Sequence, residues 1–137
     1  MARTLTAVEQ VAAEGTACRL IYAKQGNVEE LLHALPHQNP REAQHLPGLM
    51  VAFQRLADEG WITNPTQFKR VTSLKGMFVF KRHQIRVFGF FHTLDNRRMF
   101  VLVHAMIKKS TKQNRKELKK SQRVREEWQA GTVKLAA

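Results

Sequence analysis

Arginines and lysines collect around two apolar runs in the second half of the chain. Ile85-Arg-Val-Phe-Gly-Phe-Phe91 carries Arg86 and follows Lys81, Arg82 and His83; Met99-Phe-Val-Leu-Val-His-Ala-Met-Ile107 carries His104 and ends on Lys108-Lys109. Side chains alternate across a strand, so Arg86 shares a face with Phe88 and Phe90, and His104 shares one with Met106 and Lys108. Antiparallel pairing of the two runs is expected to gather Arg82, Arg86, Lys108 and Lys109 in one concave patch. RNA cleavage by its own 2′-OH requires that the hydroxyl lose a proton, that charge on the phosphorane be stabilised, and that the leaving 5′ oxygen be protonated. The planar fork of arginine suits the second task. A lysine crowded by cations can act as a base, and a histidine moves protons near neutral pH. The catalytic candidates are Arg86, Lys108, Lys109 and His104. Lys81, Arg82, Lys112, Arg115, Lys116 and Lys119 are candidates for holding the RNA backbone. The same residue types also describe plain phosphate clamps or solvated charges. His104 reads equally as a histidine at the edge of the core with a satisfied hydrogen bond, and His83 as a second proton carrier.

Strands must hold these residues. Met77-Phe-Val-Phe80 and the two runs above are joined by short turns, Arg82-His83-Gln84 and Thr93-Leu-Asp-Asn-Arg97, which predicts an antiparallel meander. Upstream, Cys18-Arg-Leu-Ile-Tyr22 predicts a first strand. Asn27-Val-Glu-Glu30 has capping-box spacing and opens a helix with Leu31, Leu32 and Leu35 that Pro36 is expected to stop. Asn39-Pro40 opens the next helix, expected to kink at Pro47-Gly48, to bury Leu49, Phe53 and Leu56, and to end at Gly60. Pro65 excludes a central strand from residues 61–75. A basic helix is expected from Lys112 to about residue 130, with a thin apolar stripe of Leu118, Val124 and Trp128. Residues 4–14 read as a short helix or a mobile extension. The predicted fold is α+β, a small two-layer domain of order β-α-α-β-β-β-α, with the helices on one face of the sheet. Residues 1–16 form the extension, 17–130 the domain, and 131–137 a tail expected to be partly vector-derived. Phe78, Phe80, Phe88, Phe90, Phe91 and Phe100 are chiefly core, with one or two as exposed platforms for base stacking.

The 137 residues suit one domain, and the 43% hydrophobic content is ordinary. The start of the chain lacks the apolar core of a signal peptide, and the single cysteine, Cys18, forms no internal disulfide; both lead us to expect a cytoplasmic protein. A net charge of +12 is concentrated: residues 69–125 hold seventeen Lys/Arg against two acids, whereas residues 1–68 hold five against seven. Such crowding favours an anionic partner, and nucleic acid rather than a membrane, because the basic helix lacks a wide apolar face. His33 and His37 are separated by the break at Pro36. With His45 they make no convincing metal site, since no cysteine or acid completes one. Neither a metal nor a cofactor is expected. Glycine-rich phosphate loops, nucleophile elbows and zinc-finger spacings are absent from the sequence.

The run Leu74-Lys-Gly76, Phe78-Val-Phe-Lys-Arg82, Ile85-Arg-Val-Phe88 and Phe100-Val-Leu-Val-His-Ala-Met-Ile-Lys-Lys-Ser110, followed by a basic helix, resembles the phage-derived, HigB-like branch of the RelE/ParE toxin superfamily. The resemblance covers roughly residues 17–128 and is strongest over 74–112. It implies a RelE-like domain and the toxin of a type II toxin–antitoxin pair. Such a toxin is an mRNA interferase: it enters the ribosomal A site, cuts mRNA without metal or cofactor, and inhibits translation. It also implies a cognate antitoxin, usually a helix-turn-helix protein, in a toxin–antitoxin hetero-oligomer. Arg86 falls at the family's strand arginine, Lys108 and Lys109 at its end-of-strand basic pair, and Arg82 at the arginine closing the preceding strand. The tyrosine found in the C-terminal region of RelE has no counterpart between Gln113 and Leu118, which leaves Lys81, Lys108 or His104 as the base, or else a member that does no cutting. Two other readings stay open: a ParE-like toxin of DNA gyrase, and a phage-derived RNA-binding protein without toxicity.

Overall fold

The computed structural model describes residues 10–109 and 115–136, with residues 132–136 as helix backbone alone. Lys112, one of the predicted RNA contacts, lies outside the described residues, as does the predicted start of the last helix. Among the described residues ten elements follow in order: β1 (Gln10–Glu14), β2 (Arg19–Tyr22), α1 (Val28–Gln38), α2 (Pro40–Ala43), α3 (Leu46–Glu59), β3 (Phe68–Arg70), β4 (Phe78–Arg82), β5 (Ile85–Leu94), β6 (Arg97–Ile107) and α4 (Arg115–Ala136). The strands form a six-stranded sheet in the order β1-β2-β6-β5-β4-β3. The architecture is α+β as expected, but the sheet is mixed: β2 runs parallel to β6, and the other neighbours are antiparallel.

Local chemistry explains most element boundaries. Residues 10–14, which fell in the predicted helix or extension, form an edge strand paired with β2. In α1, Val28, Leu32 and Leu35 are buried at helical spacing, and the helix continues two residues past Pro36. Asn27 makes no side-chain cap there. Its amide instead grips β6 beyond the end of β2: Asn27 Nδ2 donates to the Ala105 carbonyl at 3.0 Å, and the Ala105 N–H donates to Asn27 Oδ1 at 2.8 Å. The Asn39 side chain caps α2 by accepting from the Glu42 N–H. The break falls at Gln44-His45, not at Pro47-Gly48, because Pro47 sits in the first turn of α3, where its missing N–H costs nothing. Gly60 ends α3 in the left-handed conformation, φ 78°. Asp95 and Asn96, both at positive φ, make the two-residue turn between β5 and β6.

Each face of the sheet has its own core, so the helices are not confined to one side. On one face, α1 and α3 cover Leu20, Phe68, Phe78, Phe80, Ile85, Val87, Phe100 and Leu102. On the other, Val124 and Trp128 of α4 pack with Ile21, Val79, Phe88, Phe90, Val101 and Val103. The prediction of two layers fails on this point: the molecule has three. Among the described residues no helix is long and apolar enough to cross a membrane.

Candidate nucleic-acid interface

The β4–β5 hairpin fixes the positions of the predicted site residues. Lys81 faces Arg86 across the hairpin, and Arg86 faces Met106 of β6. Val79 and Phe88 belong to the core under α4, so alternation puts Lys81 and Arg86 on that same face. Lys69 of β3 pairs with Val79 and joins them from the edge. The backbone N–H of Lys108 donates to the Gln84 carbonyl at 2.7 Å, which brings the end of β6 to the hairpin tip. Lys69, Lys81, Arg86 and Lys108 thus crowd one end of one face. Burial lowers the Lys81 pKa, and the charges of Lys69, Arg86 and Lys108 lower it further. Arg86 is half-buried. One of its guanidinium nitrogens donates to the carbonyls of His83 at 2.6 Å and Ile85 at 3.0 Å. Its pKa is lowered by burial, an effect that the charge of Glu42 opposes.

Arg82 does not join this group. Alternation carries it to the face under α3, where its guanidinium lies against Gly48; a Cβ built there would come within 2.4 Å of it. Lys109 follows β6 and is exposed. Arg115, Lys116 and Lys119 lie on the first two turns of α4 with exposed side chains, and so extend the basic surface from the sheet onto the helix.

His104 is buried, and its Nε2 lies 2.7 Å from Glu117 Oε1 of α4. The β6 register shifts opposite Phe88 and Gly89, leaving Val103 without a partner. This bulge turns both Val103 and His104 toward α4. Burial acts to raise the Glu117 pKa, but the hydrogen bond and charge of His104, together with Lys120, outweigh it and hold the carboxyl below its ordinary range. His104 is therefore tied into the packing of α4 and does not face an incoming phosphate.

Glu42, His45 and His83 supply an unforeseen convergence: their ligating atoms lie within 4.8 Å of one another. An acid thus completes a metal-capable set around His45, against the expectation from sequence. Lys69 and Glu117 were also missed. Alternation with Val79 would have found Lys69 had β3 been recognised. Glu117 and Ser121 continue the stripe of Val124 and Trp128 at helical spacing, but their polarity left them out of it. All six phenylalanines proposed as core are buried or half-buried, and the exposed aromatic residue is Trp61. In comparisons with known proteins, no family model matches the chain, and neither a curated protein nor a solved structure matches it.

Proposed function

We propose that this protein is a cytoplasmic toxin of the RelE/HigB kind, a metal-independent endoribonuclease that cuts mRNA in the ribosomal A site and is restrained by a cognate antitoxin. The observation that carries the reading is the crowding of Lys69, Lys81, Arg86 and Lys108 at one end of the sheet. Cations held this close repel one another, and a phosphate removes that cost. In the proposed reaction Arg86 and Lys109 stabilise the charge that builds on the phosphorane. Lys81, whose pKa is lowered by burial and by the neighbouring cations, takes the 2′-OH proton, and Lys108 supplies one to the leaving 5′ oxygen. His104 positions through its bond to Glu117. Arg115, Lys116 and Lys119 track the neighbouring phosphates.

The test is brief induction of the wild-type chain and of Arg86→Ala in bacteria, followed by primer extension on a reporter mRNA. New 5′ ends within translated codons, absent with Arg86→Ala, are the expected result. Growth arrest without new ends moves the target elsewhere, with gyrase the first alternative. The enclosure of His104 by α4 favours one further reading, an RNA-binding protein that does not cut. It predicts RNA binding without arrest and without new ends.

A further inference from the structure

The other side of the same hairpin turn carries a different chemistry. Glu42 lies in α2, His45 at the α2–α3 corner and His83 in the β4–β5 turn. The Glu42 side chain is 2% exposed. One of its oxygens lies 2.5 Å from His83 Nδ1, and the other accepts the Gln84 N–H at 2.9 Å. The His45 and His83 rings stack 4.4 Å apart, 14° from parallel. His83 has φ 52°, in the left-handed region that Asn, Asp and His enter more readily than other side chains.

We infer that Glu42, His45 and His83 form a binding site for a divalent transition-metal ion of the zinc class. Two imidazoles and one carboxylate suit zinc, nickel, cobalt or copper, and not the all-oxygen shells of magnesium or calcium. Tetrahedral ligation at zinc distances sets donor atoms about 3.4 Å apart. The present separations, 2.5 Å between Glu42 and His83 and none beyond 4.8 Å, need only small adjustments to reach that value. The His83 side chain is 49% exposed and has room to adjust. Glu42 is held in advance: Asn39 fixes its backbone, and the Gln84 N–H fixes the oxygen that does not face His83. Such outer hydrogen bonds orient ligands in metal sites. Three protein ligands leave a fourth position to water. Arg82 and Arg86 are cationic neighbours and keep the affinity below that of four-ligand structural zinc sites. The bound ion clamps the α2–α3 corner to the turn whose carbonyls hold Arg86 and Lys108.

The experiment is calorimetric titration of tag-free protein with Zn²⁺, repeated with Ni²⁺, for wild type, His45→Gln, His83→Asn and a His33→Gln control. Asparagine keeps the left-handed turn while removing the imidazole. Thermal unfolding of each metal-free protein, read alongside, shows that both site variants fold. The expected result is one ion per chain in wild type and control, and affinity reduced roughly tenfold or more in each site variant. Zinc should also raise the wild-type Tm, and a chelator should reverse the rise. Equal binding by wild type and both site variants, or no binding of either metal at micromolar concentration, overturns the inference.

Discussion

Under α1 and α3 the sheet is closed by phenylalanines and leucines, whereas α4 closes the opposite face over part of its length and leaves cations at the remaining end. A single strand serves both. Ile85 and Val87 of β5 enter the closed core, and Arg86 between them points to the open end. One residue step in register therefore separates packing from phosphate chemistry. The lesson is that side-chain alternation selects which basic residues act together. Arg82 and Lys81 are adjacent in sequence but emerge on opposite faces.

The largest expected effect falls on the closed face. Phe100→Ala removes a fully buried ring and should cost about 3–5 kcal/mol in urea unfolding. Lys81→Ala on the open face should change stability by no more than about 0.5 kcal/mol. Comparable losses from both would erase the contrast between the faces. Next comes Asn27→Ala, which leaves the Ala105 N–H and carbonyl without their side-chain partner and should cost about 1–3 kcal/mol. Faster amide exchange at Ala105 would localise the damage to the end of β6.

RNA binding sharpens the comparison further. Removing one cation that meets a phosphate should lower the slope of log affinity against log salt by about 0.7 for single-stranded RNA. Lys81→Ala with Lys108→Ala should flatten the slope accordingly, while Arg82→Ala on the other face leaves it unchanged. The smallest effect concerns pH. Glu117 is held below its ordinary range in the fold, so its contribution to stability is present above that range and fades as pH falls through the folded value. Wild-type Tm should therefore drop more steeply in acid than the Tm of Glu117→Gln, as measured by a series of thermal melts.

Much of the scaffold was legible because its signals are local. β2, the meander and the end of α3 at Gly60 follow from apolar runs, short turns and one glycine. Residues 10–14 misled because their periodicity suits a helix, whereas pairing with β2 decides their state. The second helical layer was missed because the apolar stripe of α4 is thin: two further positions along it, Glu117 and Ser121, are polar and are satisfied by His104 and by the Glu117 carbonyl. Of the predicted site, Lys81, Arg86 and Lys108 come together as alternation requires. Glu42 and His83, 41 positions apart, meet through the hairpin, and nothing local in the sequence announces that contact.

The central claim is tested most directly by cleavage of a reporter mRNA on purified ribosomes by wild-type, Arg86→Ala and Arg82→Ala protein. The account predicts cutting by wild type and by Arg82→Ala, and none by Arg86→Ala. Cutting that survives Arg86→Ala, or that Arg82→Ala abolishes equally, would contradict the assignment of the site to the face under α4.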